Sequence, residues 1–314
     1  MSAAANQTSL FDRMVAGLVP YVPQPLVRRF GEPYVAGLTL DNALHTAAEL
    51  ARAGLLTTVD VLGETVGDAA GAAAAADAYL QTLDAFHGRS LPTHVSCKPS
   101  GLGSKLGWEI AGRQIGRIVA RAEELGAFVR IDMEDATTTD ATLALYRELR
   151  AQGHERLGIV LQSRLWRSAA DAEALVDLVP NVRLCKGIYL EPPQIGMHDR
   201  DAIRRSFSSL LRRLLKAGSY VAIATHDEEL VVDALEAIDQ LGVDRDGYEF
   251  QTLLGVRADL AKLLAREHRV RVYIPYGSDS FAYAQRRLRE NPQIAGYVAR
   301  DMLRELARAV DLSR

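Results

Sequence analysis

Long apolar runs are missing from this chain of 314 residues. None approaches the roughly 20 consecutive apolar residues that a membrane-spanning helix requires, which argues against a helical membrane protein. Cysteine is almost absent: Cys97 and Cys185, both within apparent strands, cannot by themselves build a disulfide framework or a zinc site. Charge of one sign is lacking too. The 37 basic and 40 acidic residues leave −3, without the basic excess that marks nucleic-acid binding. The N-terminus (MSAAANQTSLFDRM) has no basic segment followed by an apolar one, so no secretory signal is expected. No stretch rich in proline, glycine or serine divides the chain, and neither a GxSxG elbow nor a metal-binding histidine pair at helical spacing occurs. What is present, 48% apolar and 25% charged residues, suits a globular protein with a large core, expected in the cytoplasm as a single domain over 1–314.

Short β-branched or apolar runs alternate with longer amphipathic stretches. The pattern predicts strands near 55–60, 93–98, 128–132, 157–162, 182–186, 220–225, 247–251 and 270–275. Continuous runs such as Val221-Ala222-Ile223-Ala224 suit strands buried on both faces, as in parallel sheets. Residues 200–217 place Ile203, Phe207, Leu210, Leu211, Leu214 and Leu215 on one helical stripe, and 256–267 do the same with Val256, Leu260, Leu263 and Leu264. The alanine-rich run 69–79 also reads as helix, since alanine is the best helix former. Eight strands each followed by a helix predict an α/β protein, and the count fits a (β/α)8 TIM-type barrel over 54–291 better than an open sheet. Residues 10–52 read as helices within an N-terminal segment 1–53, and 292–312 as a helix within a C-terminal segment 292–314.

Asp60, Lys98, Asp132, Gln162, Lys186, Thr225 with His226, and Gln251 each close a predicted strand, and Tyr273 sits within the last one. In a β/α barrel the C-terminal strand ends build the active site, so their repetition around the ring points to a ligand site. Capping of the following helices is the bland account of each alone. Gly101-Leu-Gly103-Ser-Lys-Leu-Gly107 follows a strand but reads GxGxxxG instead of the dinucleotide pattern GxGxxG, and a plain turn is expected. Asp132-Met-Glu134-Asp135 could hold a divalent cation if Asp132 and Glu134 share a face, although no metal is expected. Lys98 or Lys186 at a strand end could form a Schiff base.

The residues 183–189 (RLCKGIY), Ala224-Thr225-His226, Tyr248-Glu-Phe-Gln251, 271–277 (RVYIPYG) and 283–290 (YAQRRLRE) occur in this order. Together they resemble the strand 5 to helix 8 signature of the flavin-dependent proline dehydrogenase family. Leu62-Gly63-Glu64, Val95-Ser-Cys-Lys98 and Ile131-Asp132 are similar to its early strand motifs, so the resemblance covers roughly residues 54–292. The chain is closer in pattern to the monofunctional bacterial enzymes than to those fused to an aldehyde dehydrogenase. It departs at Cys185 and Ile188, where the family often reads Val and Ala.

The resemblance implies a barrel that oxidises L-proline to Δ1-pyrroline-5-carboxylate, passing a hydride to non-covalent FAD and the electrons on to a membrane quinone. Arg286 and Arg287 are implied to grip the substrate carboxylate, with Lys98 as a third cation; planar guanidinium forks suit a carboxylate. Tyr273, Tyr283 and Leu253 would wall the proline ring. Glu290 would orient a guanidinium or meet the amine, Asp132 would position Lys98 and Tyr273, and Glu64 would gate the site with Arg286. On the cofactor side the implied residues are Gln162, Arg183, Cys185, Lys186, Gly187, Ile188, Tyr189, Thr225, His226 and Gln251. A quinone acceptor implies transient association with a membrane, possible for the stripe Ile294, Val298, Met302, Leu306 and Val310, whose spacing a face packed on the barrel explains equally. Pyrroline-5-carboxylate dehydrogenase would be the downstream partner. A Schiff-base aldolase using Lys98 or Lys186 and a non-catalytic amino-acid-binding or sensor barrel are the competing readings, since fold alone decides no activity.

Overall fold

A computed structural model of the protein describes residues 32–63, 66–280 and 283. Eight parallel strands close into a barrel in chain order: β1 (Leu56–Val61), β2 (His94–Cys97), β3 (Phe128–Ile131), β4 (Leu157–Gln162), β5 (Asn181–Cys185), β6 (Tyr220–Ala224), β7 (Tyr248–Leu253) and β8 (Val270–Tyr276). The ring closes with β1 beside β8, from Leu56 opposite Arg271 to Val61 opposite Tyr276. Helix α1 (Leu40–Arg52) precedes the barrel. Helices α2 (Ala69–Gly88), α3 (Trp108–Glu124), α4 (Thr139–Ala151), α5 (Ser168–Ala174), α6 (Arg200–Lys216), α7 (Glu228–Leu241) and α8 (Ala258–Leu264) follow β1 to β7 in turn. The expected (β/α)8 barrel is therefore what forms.

Local chemistry explains these elements. Thr39 and Asn42 form a reciprocal capping box at the start of α1. Asp68 caps α2 through the Gly71 N–H, and Asp199 caps α6 through the Ala202 N–H. The six apolar residues of the predicted 200–217 stripe are all buried in α6. Each side chain contributes roughly 1.5–3 kcal/mol by leaving water, an upper estimate. Two helices differ from expectation. The alanine-rich helix continues past 79 to Gly88, because Leu83 and Phe86 extend its buried face. The predicted 256–267 helix is shorter, and Leu263 is exposed instead of joining the stripe. Strand β7 runs on to Leu253, so Gln251 lies inside the strand instead of closing it.

Alternation along the strands separates two environments. One set (Val59, Val95, Val129, Ile131, Ile159, Leu161, Val182, Leu184, Val221, Ile223, Phe250, Val272, Ile274) is buried in the apolar layer beneath the helices. The other set faces the lumen and is largely polar, with small or apolar Gly158, Val160 and Ala222 among it. Arg183 on β5 hydrogen-bonds Ser96 on β2, Asp132 after β3 and Gln251 on β7, contacts that only a side chain crossing the lumen can make. Small residues make room for such large ones. At Gly158 a Cβ would stand 2.4 Å from an Arg130 guanidinium nitrogen, so this glycine is the floor on which Arg130 lies. Among the described residues no helix is long and apolar enough to cross a membrane.

Candidate active site

A continuous chain of polar contacts runs up the lumen. Arg271 and Glu249 form a buried ion pair of 2.8 Å, and Arg271 also donates to the Thr57 carbonyl. Gln251 donates to Glu249 at 2.6 Å and accepts from Arg183 Nε at 2.7 Å, so both ends of its amide are committed. Arg183 donates to Asp132 Oδ1 at 2.6 Å and to the Ser96 hydroxyl at 2.8 Å, and Ser96 donates to the same Asp132 oxygen at 2.8 Å. Burial works to raise the Glu249 carboxyl, but the Arg271 guanidinium outweighs it and holds the group at about 2. Desolvation, then the Arg271 charge, push half-buried His94 well below its ordinary range, so it is neutral.

At the top of this chain Lys98, Asp60 and Tyr273 form a closed ring. Lys98 Nζ donates to Asp60 Oδ2 at 2.6 Å and to the Tyr273 oxygen at 3.0 Å, while the Tyr273 hydroxyl donates to the same Asp60 oxygen at 2.6 Å. Asp132 Oδ2 lies farther from Lys98, at 3.7 Å. Burial acts to lower the Lys98 ammonium, yet Asp60 and Asp132 overcome it and raise Lys98 above its ordinary value. Burial, then the Asp60 and Asp132 charges, push the Tyr273 phenol well above the usual tyrosine value. A Schiff-base lysine needs a free lone pair, whereas Lys98 is held protonated, which counts against Lys98 as the lysine of an aldolase. Tyr283 is buried close enough to Tyr273 to affect its titration, and both guanidinium and ammonium sit near the Tyr273 ring, with Arg183 5.4 Å and Lys98 5.8 Å from its centroid.

The ends of β4 to β7 carry the residues expected to meet a flavin. Gln162 donates to the Glu134 carbonyl at 2.8 Å, and its side chain lies against Gly187. Gly187 has φ +91°, and a Cβ there would meet Gln162 Oε1 at 2.7 Å and Gln162 Cβ at 3.1 Å. Ile188 and Leu190 are exposed, at 46% and 85%, and Tyr189 accepts at its carbonyl from Arg164. Lys186 pairs with Asp227, which also takes a two-point contact from Arg204 at 2.8 and 3.0 Å. The Thr225 hydroxyl accepts from the Asp227 N–H, and His226 Nε2 accepts from the Leu253 N–H at 3.0 Å, which fixes the imidazole as the Nδ1–H tautomer. Burial pushes the Cys185 thiol up to about 11, so it is an inert thiol in contact with the Leu161 carbonyl. A glycine cradle, a restrained amide, adjacent cations and apolar edges fit the ring and phosphates of a flavin dinucleotide.

The structure thus brings Lys98, Asp132, Tyr273, Arg183 and Gln251 into one network. It gives Gln162 and Gly187 a mutual contact and joins Lys186, Thr225, His226 and Leu253 through Asp227 and backbone. Glu64, Arg286, Arg287 and Glu290, with the residues before 32 and the C-terminal stripe, lie outside the described residues. Glu134 accepts from both the N–H and the hydroxyl of Ser100, and Asp132 faces cations; among the described residues no group of three or more His, Cys, Asp or Glu could hold a metal. The glycine run is a plain turn: a 3-10 segment Pro99–Leu102, then Gly103 with φ +99°. Sequence reasoning left Asp60 without a role and missed Ser96, Tyr79, Glu249, Arg271, Asp227 and Arg204. Of these, Asp60 carried a signal at a strand end, as did Ser96, Glu249 and Arg271, which stand two residues before Lys98, Gln251 and Tyr273 on the same strand faces.

A family model described as proline dehydrogenase matches residues 43–300. The proline dehydrogenase of Deinococcus radiodurans is 40% identical over 280 residues, spanning 87% of this chain and 90% of that protein. Proline dehydrogenase 1 of Bacillus subtilis is 35% identical over 273 residues, with 87% and 90% covered. Among solved structures, proline utilization A from Bdellovibrio bacteriovorus inactivated by N-propargylglycine superposes with a TM-score of 0.77 at 22% identity. That match covers 84% of this chain and 33% of the larger protein, so this chain spans about a third of its length.

Proposed function

The chain belongs to the proline dehydrogenase family, and from that membership we propose that it oxidises L-proline to Δ1-pyrroline-5-carboxylate. The observation that supports this most is the lumen network that ends in the Lys98–Asp60–Tyr273 ring at the barrel mouth, beside the Gln162–Gly187 cradle. Non-covalent FAD, when bound, would supply the acceptor for the hydride from proline C5, with a quinone as the final acceptor of the electrons. Gln162, Arg183, Cys185, Lys186, Gly187, Ile188, Tyr189, Thr225, His226 and Gln251 would hold it.

The chain's own residues bind and orient. Lys98 stays a cation at the site because two carboxylates face it, so it can meet the proline carboxylate together with Arg286 and Arg287. Tyr273, Tyr283 and Leu253 would wall the apolar ring, while Glu290 would orient a guanidinium or meet the amine. Asp132, shared between Arg183 and Lys98, ties the cofactor-side guanidinium to the substrate-side ammonium. A gate of Glu64 with Arg286 would exclude water while the hydride moves. Transient contact with a membrane quinone, a cytoplasmic location and hand-over of product to a pyrroline-5-carboxylate dehydrogenase belong to the same reading.

The test is the visible spectrum of the purified protein before and after anaerobic addition of L-proline. Flavin bands that bleach with proline support cofactor, substrate and direction of electron flow together. A colourless protein that stays inert after FAD is supplied would overturn the proposal, and bands that proline leaves unbleached would favour a binding barrel without turnover.

A further inference from the structure

Asp60 is a fully buried carboxylate with a partner at every side, and its partners come from three elements. Its Oδ2 accepts from both Lys98 and Tyr273, at 2.6 Å each, and its Oδ1 accepts from the Tyr79 hydroxyl at 3.2 Å. Tyr79 belongs to α2, outside the barrel wall, and its single O–H proton is shared between Asp60 Oδ1 and the Ser96 carbonyl, which is the nearer at 2.9 Å. The wall lets it in. Strands β1 and β2 share one register pair, Val59 with Val95, whereas β1 and β8 share six. Beyond Val95 the Ser96 carbonyl is therefore served by a tyrosine reaching from the helix layer, and the same hydroxyl braces Asp60.

We propose that Asp60, braced from behind by Tyr79, is the positioning residue that sets the direction and charge of Lys98 at the substrate site. The proposal rests on the proline reading for its substrate, but not for its geometry. An ammonium has three N–H donors; the ring directs one to Asp60 and one to Tyr273, which leaves the third with a defined direction. The Tyr273 hydroxyl is likewise fixed, accepting from Lys98 and donating to Asp60, so the phenol cannot rotate without breaking two contacts. Asp132, at 3.7 Å from Lys98 and already engaged by Arg183 and Ser96, is placed to assist and not to lead. Burial, followed by the Asp60 charge, holds the Tyr79 phenol well above its ordinary value, so the brace stays a neutral donor.

Asp60→Asn removes the charge with little change of shape, and Tyr79→Phe removes only the brace. Tyr276→Phe, which breaks the buried hydroxyl pair of Tyr276 with Thr82 elsewhere in the barrel wall, reports the cost of losing a buried tyrosine hydroxyl as such. Two readouts are taken on the flavin-loaded protein: KM and kcat for proline, and the pH at which Lys98 is acetylated by an activated acetyl ester, mapped by mass spectrometry. Asp60→Asn is expected to raise KM roughly tenfold, more than it lowers kcat, and to move the onset of Lys98 acetylation down by at least about one pH unit. Tyr79→Phe should raise KM roughly threefold, with Tyr276→Phe at the wild-type value in both assays. Unchanged KM and an unchanged acetylation profile in Asp60→Asn and Tyr79→Phe would overturn the assignment. Should Asp60→Asn not fold, Tyr79→Phe decides on the same criteria. A wild type that does not oxidise proline overturns the functional reading alone, because the acetylation profile needs no proline and still decides whether Asp60 holds Lys98.

Discussion

Replacing Gly187 by alanine is the sharpest probe of the proposed cofactor cradle. The backbone there has φ +91°, a region that an L side chain enters at a cost of roughly 1–3 kcal/mol. The added methyl would also stand 2.7 Å from Gln162 Oε1 and 3.1 Å from Gln162 Cβ. The amide end can swing aside, but doing so gives up its 2.8 Å bond to the Glu134 carbonyl, a loss of about 1 kcal/mol net. The Cβ belongs to strand β4 and cannot follow without moving the strand. Together these effects predict a loss of about 2–4 kcal/mol and a fall in Tm of roughly 4–8 °C. If Gln162 meets the flavin, part of that loss appears as weaker binding, about 10- to 100-fold in the dissociation constant for FAD. The assay is FAD titration of deflavinated protein by fluorescence, beside a thermal melt of each variant. A double-mutant cycle isolates the contact: on a Gln162→Ala background the Gly187→Ala change should cost about 1 kcal/mol less, because the obstacle is gone. FAD affinity within twofold of wild type, with Tm unmoved, would refute the cradle.

Two further expectations follow, one from the base of the lumen and one from the proposed grip on the substrate carboxylate. Glu249 is held at about 2, below its ordinary 4.5, so its contribution is complete above the unfolded value and is lost as pH falls towards 2; the gap is worth about 3 kcal/mol. Glu249→Gln should therefore cost roughly 3–5 kcal/mol in urea unfolding at pH 7 by stranding buried Arg271, and should flatten the stability loss between pH 5 and 2; an identical acid limb in both proteins would count against the ion pair. If Arg287 grips the proline carboxylate as proposed, Arg287→Lys should raise KM for proline roughly tenfold or more while flavin stays bound, because a point charge cannot replace a planar fork; unchanged proline kinetics would remove the carboxylate assignment.

How much of this was legible beforehand differs between the fold and the site. The alternation of short β-branched runs with amphipathic stretches carried the barrel, because strand and helix periodicities are local and each leaves its mark within a few residues. The α6 stripe matched residue for residue for that reason, while the alanine-rich helix and α8 missed their ends, where propensity yields to whatever packs against them. Polar strand ends pointed to the C-terminal mouth of the barrel, the end at which Lys98, Asp60 and Tyr273 meet. They did not reveal that polarity continues down the lumen, since a sequence does not say which face of a strand closes inward. Closure decided that. It set Arg183 of β5 across from Ser96, Asp132 and Gln251, and put Arg271 against Glu249, pairs far apart in the chain and brought together only by the register of the ring. It also gave the lead in holding Lys98 to Asp60 over Asp132, because β1 and the start of the β2 loop converge there at 2.6 Å while Asp132 is drawn away by Arg183. Tyr79, at the end of the alanine-rich first half of its helix, had no signal at all; its role exists because the seam between β1 and β2 is open where its hydroxyl arrives. Local chemistry can be read along a chain, whereas contacts across a closed barrel depend on the tilt and register of all its strands at once.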